Sequence, residues 1–210
     1  MMMGWIALEL ITAGAHAGRC APVGANTEVV LELHTAPVVV RHDVSSAGLN
    51  QRVGQANGVH LGLTEAEFSV QVGVRVSATQ SRSGGCAALE QVTATIGYQQ
   101  MLVYVASNYD VGTCEYNAIL DHEQTHVAFN NQVLSEYAGN LRVALSKIVE
   151  HLPSMSDGNP NRAAQRLSRQ IQSRLGGTVS ALERDRSRRN GMIDTREAYE
   201  RTASLCSGWQ

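Results

Sequence analysis

Beyond its start, the chain has no apolar run approaching the ~18 residues a spanning helix requires, so no membrane span is expected. It has no charge excess either. Lys and Arg number 17 against 19 Asp and Glu, a net charge of -2, which removes the electrostatic reason to expect nucleic acid. None of its four cysteines forms a Cys-x-x-Cys pair, which argues against a cysteine-built zinc cluster. There are no internal repeats and no low-complexity linker. What remains is 210 residues, 43% of them apolar, enough for one large domain, or one domain with an appendage, with a real core.

Residues 1–17, MMMGWIALELITAGAHA, have the outline of a signal peptide. Trp5 to Ala13 is mostly apolar, and Ala15-His16-Ala17 fits a small-x-small cleavage pattern. The stretch lacks an early Lys or Arg, and Glu9 interrupts it. We read 1–17 as a leader and 18–210 as a single exported domain, secreted or periplasmic, mainly β over 18–115 and mainly α over 116–210. An even number of cysteines suits an oxidising compartment. Of the three possible pairings, Cys86 with Cys114 is favoured, which leaves Cys20 with Cys206.

Strands are expected at 27–33 and 37–42, both rich in Val. A helix or loop fits 45–57, and a small capped turn 64–67. Residues 68–78 alternate cleanly, with Val70, Val72, Val74 and Val76 on one face. Further strands are predicted over 92–98 and 100–106, then a loop at 107–115 carrying Cys114.

The rest reads as helix. One helix is expected from 118 to about 152, capped by Asn117 and stopped by Pro153. A second, capped by Asn161, covers about 161–189, followed by a turn at Asn190-Gly191. A short last helix spans 194–205, with Thr195 as its cap.

The first of these helices carries Asp121-His122-Glu123-Gln124-Thr125-His126, which contains His-Glu-x-x-His. On a helix His122 and His126 lie one turn apart on one face. Two imidazoles so spaced can grip one divalent ion, most often Zn2+. Glu123 then stands where it can take a proton from a metal-bound water. Two histidines on a surface helix would give the same letters. Here, however, the apolar stripe through Ile119, Val127 and Leu134 passes through Glu123 and His126, so the motif faces the protein. His34 and His42 are further imidazoles, on the predicted strands.

A catalytic zinc takes a third protein ligand and keeps one position open. Gln132 stands where a metzincin would place its third His. Glu136 lies about 15 Å along the axis from His126, out of reach on a straight helix. The helix travels about 37 Å past His126, and the second helix returns nearly as far. Residues 190–200 should therefore come back level with the metal. Asp194 is the first choice of ligand and Glu197 the second. Tyr199 is placed to donate a hydrogen bond to the developing oxyanion.

From about Cys86 to Tyr199 the chain resembles a family of bacterial secreted proteins described as zinc-dependent peptidases, a domain of unknown function. The similarity rests on Cys114, on His122-Glu123-Gln124-Thr125-His126, and on Ile193-Asp194-x-x-Glu197-x-Tyr199. Within the last segment only the Asp is shared. Ile193, Glu197 and Tyr199 stand where the family pattern has Tyr, Thr and His. More broadly the motif resembles that of the zincin metallopeptidases. The resemblance implies an α+β fold, an N-terminal antiparallel or mixed sheet packed on the His-Glu-x-x-His helix and its helical hairpin. It also implies substrate bound as an added strand on a sheet edge, for which residues 101–105 are the candidate.

The expected activity is zinc-dependent hydrolysis of peptide bonds in a peptide or protein substrate, with cell-wall peptides as another substrate class. His122, His126 and Asp194 would bind the ion, Glu123 would act as base, and Tyr199 as oxyanion donor. The competing reading is a non-catalytic exported binding or scaffold protein whose metal is structural or absent.

Overall fold

The computed structural model describes residues 10–12, 26–54, 60–81, 84–152, 155–156 and 159–209. In chain order its strands are β1 (Leu10–Thr12), β2 (Glu28–Thr35), β3 (Val38–Arg41), β4 (Gly62–Ser81), β5 (Gly84–Val105) and β6 (Met155–Ser156). Its helices are α1 (Ser46–Val53), α2 (Cys114–Glu150), α3 (Pro160–Ile193) and α4 (Arg196–Ala203). The fold is α+β. Of the stretch read as a leader, Leu10–Thr12 is a strand, and residues 1–9 and 13–17 lie outside the described residues. Among the described residues no helix is long and apolar enough to cross a membrane.

The sheet is mixed, in the order β1-β4-β5-β2, with β3 and β6 also paired to β5. β1 runs parallel to β4, Leu10 opposite Val76. β3 runs parallel to β5, Val38 opposite Met101, while β6 is antiparallel to it. β4 and β5 are neighbours separated by two residues, and so short a link joins only antiparallel strands. The side-chain bonds from Gln91 to Glu28 and from Thr95 to Glu32 both span 63 residues. Val38 and Met101 differ by the same amount (101 − 38 = 63), so β2 and β3 follow β5 in one register.

Three strand expectations change. Residues 64–67 are part of β4 and not a capped turn, because the Thr64 hydroxyl bonds a distant helix instead of its own backbone. The stretches 92–98 and 100–106 fuse into β5, with Gln99 and Gln100 both exposed where they join. Residues 101–105 are not a sheet edge, since β3 covers 101–104 and β4 lies on the other side. Among the described residues, 62–68 of β4 have β5 alone as strand partner, the contact with β1 being confined to 76–78.

The chain forms two compact units. The first comprises Met1–His34, Ser69–Gly97 and Tyr137–Ala181. Val72, Val74 and Val76 supply its sheet face, and Leu141, Leu145, Leu167 and Ile171 its helix faces, all buried. The Ser168 hydroxyl donates to the Val72 carbonyl at 3.0 Å, tying α3 to β4. A Cβ at Gly97 would lie 1.8 Å from the His34 carbonyl oxygen. Only glycine lets β2 approach β5 there.

The second unit comprises Thr35–Phe68, Tyr98–Glu136 and Leu182–Gln210. Its core includes Leu49, Tyr98, Met101, Val103, Val105, Leu134 and Leu182. The Tyr98 hydroxyl donates to the Asn130 carbonyl at 3.2 Å, fixing α2 over β5. Burial pushes that phenol up to about 12, so it remains a donor.

Helix boundaries move for local reasons. α2 begins at Cys114, four residues before the expected start, because the Thr113 hydroxyl and not Asn117 accepts the Tyr116 N–H. Asn159, not Asn161, caps α3, accepting from the amides of Asn161 and Arg162. α3 does not turn at Asn190-Gly191 but continues to Ile193. Asn190 makes its bonds from within the helix. Thr195 caps α4 as expected.

Cys114 is bonded to Cys206. This overturns both favoured pairings, Cys86 with Cys114 and Cys20 with Cys206. The returning helix delivers the C-terminal segment to the start of α2, which the local spacing of cysteines does not reveal. Cys20 and the Cys86 side chain lie outside the described residues.

Candidate metal centre

Every residue of the candidate site belongs to the second unit. α2 presents its buried face as Ile119, Glu123, His126, Val127 and Asn130, at helical spacing. Glu123 is 4% exposed and His126 8%. The end of α3 and the start of α4 bring Asp194 against the two imidazoles. Asp194 Oδ1 lies 3.4 Å from His122 Nε2 and 3.0 Å from His126 Nε2. One ligand atom from each of the three side chains falls within 4.8 Å of the others, a group suited to one metal ion.

The polar bonding of this trio fits a cation better than it fits itself. His122 Nε2 is buried and has no hydrogen-bond partner, the 3.4 Å contact to Asp194 being poorly aligned. A buried imidazole nitrogen left without a partner is costly, and a metal ion would satisfy it. On the far side of His126, Nδ1 lies 2.7 Å from Asn190 Oδ1. The Asn190 amide itself donates to Asn130 Oδ1 and to the Arg186 carbonyl, which fixes its oxygen toward the histidine. Nδ1 must then be the donor, so in the neutral ring Nε2 keeps a lone pair for a ligand, while in the protonated ring Nε2 donates to Asp194 at 3.0 Å.

No protein-family model, curated protein or solved structure matches this chain.

Glu123 is held apart from the trio. The Thr64 hydroxyl donates to its Oε2 at 2.7 Å and contacts its carbonyl at 3.1 Å. β4 runs so close that a Cβ on Gly62 would sit 2.5 Å from Glu123 Oε1. Burial pushes the Glu123 carboxyl up, while Thr64 and the histidines pull the other way. Burial also works against the charged form of His126, but its bonds to Asp194 and Asn190 outweigh this and raise it. Asp194 goes down despite its partial burial, because both imidazoles lie against its carboxylate and the Tyr199 hydroxyl bonds it. Tyr199 stacks tilted on His122, with ring centres 5.1 Å apart, and its hydroxyl donates to Asp194 Oδ1 at 3.0 Å. Burial, followed by the charge of Asp194, pushes that phenol up, so it keeps its proton.

The structure thus brings together His122, Glu123, His126, Asp194 and Tyr199. It leaves Glu197 outside the metal-ligand group, exposed on α4, and Glu136 occupied by Arg189 and Gln132. Asp194 does not cap α4, since Thr195 does. His42 bonds the Tyr109 carbonyl and sits edge-on to Tyr116. His34 meets Gly97 through its backbone, in the other unit. Sequence reasoning missed Thr64, Asn130 and Asn190. For Asn190 the signal existed, because the hairpin arithmetic already put residue 190 level with the metal.

Two clefts meet at this point. One, of about 420 Å³, includes His122 in its wall. The other, of about 970 Å³, includes His126 and Asp194. Gly62, Glu123, Tyr199 and Glu200 border both.

Proposed function

We propose that this chain is a zincin-type metallopeptidase in which His122, His126 and Asp194 hold Zn2+. The observation that carries the reading is Glu123, a buried carboxylate one helix position from a ligand and bonded to Thr64. Two imidazoles and one carboxylate also suit other divalent metals, mononuclear iron included. What favours hydrolysis is the added base, since a purely structural site has no use for a second carboxylate kept out of the trio.

Zinc in such a site polarises a carbonyl and lowers the pKa of bound water to about 7. The protein's own groups do the rest. Glu123, raised by burial, takes the water's proton on a carboxylate oxygen and passes it to the leaving amine. Thr64 holds one Glu123 oxygen in place, which leaves the other for transfer. Tyr199, kept protonated, turns its hydroxyl from Asp194 to the substrate carbonyl oxygen as that atom gains charge. Residues 62–68 of β4, beside Glu123, offer an edge on which an extended peptide can add as a strand. The disulfide and the lack of a spanning helix among the described residues suit an exported protein.

The test combines metal analysis with digestion of an unfolded protein substrate, with and without chelator. Expected is about one zinc per chain and cleavage that chelator abolishes. A protein that binds zinc yet cuts nothing under any condition would instead be a binding protein with a structural metal.

A further inference from the structure

The two clefts differ in chemistry, and the difference bears on which peptides fit. The smaller cleft is walled by Leu61, Tyr109, Ile119, Ala203 and Trp209, beside His122 and Glu123; Thr202 and Glu200 also line it but are engaged, the first donating to the Ala198 carbonyl and the second accepting from Arg196. Leu61, Tyr109 and Trp209 pack against the buried cluster of Val105, Tyr116 and Ile119. The Tyr109 and Trp209 rings meet edge-on at 5.9 Å, and the indole N–H reaches the tyrosine hydroxyl at 3.4 Å. The indole's one polar atom is therefore already engaged. The larger cleft instead presents Thr64, Asn130, Arg186 and Asn190.

The apolar cleft is built before any ligand arrives. The bond between Cys114 and Cys206 fastens both of its sides. Cys114 opens the helix that carries Ile119, and Cys206 precedes Trp209 by three residues. A volume of about 420 Å³ lies within the ~300–1,000 Å³ of small-ligand pockets. Since Glu123 and Tyr199 border both clefts, a carbonyl held between them has one flanking side chain directed into the apolar one.

We infer that the cleft of Leu61, Tyr109, Ile119, Ala203 and Trp209 is a specificity pocket for a large aliphatic or aromatic side chain next to the cleaved bond. This rests on the peptidase reading, and it narrows the substrate class. Peptides with Leu, Met or Phe flanking the scissile bond are favoured. Peptides carrying Asn, Asp or Glu there are rejected, because the apolar wall offers their polar groups no partner and an acidic side chain also meets the Glu200 carboxylate.

The test uses blocked tetrapeptides Ala-Ala-Xaa-Ala, with Xaa as Leu, Phe, Asn or Glu. Binding is read from Trp209 fluorescence in zinc-loaded Glu123→Gln protein. The chain has two tryptophans, so Trp5→Phe leaves Trp209 as the sole reporter. Leu and Phe peptides should bind about tenfold tighter than Asn and Glu peptides, as burial of one large apolar side chain implies. Ala203→Phe should fill the pocket and erase that preference with metal content unchanged, and Ala203→Leu, a smaller change that also adds no tryptophan, should reduce it.

Equal affinities, no fluorescence response, or a preference that survives both variants would overturn the pocket. Cleavage by the unsubstituted Glu123 protein is scored separately. If the binding preference holds and nothing is cut, the pocket stands and the peptidase reading falls. If all four peptides are cut alike, the reverse is true.

Discussion

Asn190 Oδ1 accepts from His126 Nδ1 at 2.7 Å across 64 residues of chain. This contact sets the tautomer of a candidate ligand and couples the end of α3 to the middle of α2. Asn190→Ala should weaken zinc binding about 10–100-fold, the usual cost of losing a bond behind a ligating histidine. Asn190→Asp, which keeps the acceptor, should retain most of the affinity. Competition with a chromophoric chelator measures both. Equal affinities for Asn190→Ala and the parent chain would remove this role.

Glu123→Gln should leave the zinc content near one per chain and lower hydrolysis by about 10²–10⁴-fold, the range of general-base catalysis. It should not reduce thermal stability, since a buried amide is easier to accommodate than a buried charge. Metal analysis, a melting curve and a peptide assay on one preparation suffice. Loss of zinc in this variant would mean that Glu123 is a ligand and not the base.

The stabilisation by zinc should grow with pH. In the metal-free protein His126 is raised, so its contribution is full below about 6.5 and is lost as pH rises through the folded value. Asp194 is lowered, so its contribution is present above about 3.9 and is lost as pH falls toward the folded value. The pair therefore supports the metal-free fold mainly between about pH 4 and 6.5. Zinc needs the deprotonated imidazole and competes with that proton. The difference in Tm with and without zinc should be larger at pH 8 than at pH 5.5. Equal differences at the two values would contradict this account.

Gly62→Ala places a methyl group 2.5 Å from Glu123 Oε1 and 2.8 Å from Ile119 Cγ2. Either β4 or the Glu123 side chain must shift. The expected cost is about 1–3 kcal/mol, as for other overpacked sites. Hydrolysis should fall more than stability does, because the displaced group is the base. Denaturant melts together with kcat/KM separate the two effects, and an unchanged kcat/KM would refute the contact.

Much of this arrangement was legible in the letters. The His-Glu-x-x-His spacing, its place on the buried stripe, and the length of the hairpin together led to Asp194 and Tyr199. The α+β class followed from alternating Val residues ahead of long helical periodicity. What failed was whatever depends on distant partners. Thr64 looked like a turn former because its hydrogen-bond partner, Glu123, lies 59 residues away. Asn190-Gly191 looked like a turn because His126, which holds Asn190 inside the helix, is equally invisible locally. Residues 101–105 looked like an edge because the register that lays β3 along them is set 63 positions earlier. The cysteine pairing failed in the same way. Parity signalled a covalent link, but only the return of α3 selects Cys206 for Cys114.

That link closes a ring. Residues 114 and 206 are 92 positions apart, and His122, Glu123, His126, Asp194 and Tyr199 all lie on the enclosed arc. One cut of the backbone anywhere inside it would leave the halves of the site on a single molecule until a reductant arrives. Under oxidising conditions such a nicked chain would migrate whole on a gel, and it would fall into fragments only after the thiols are freed.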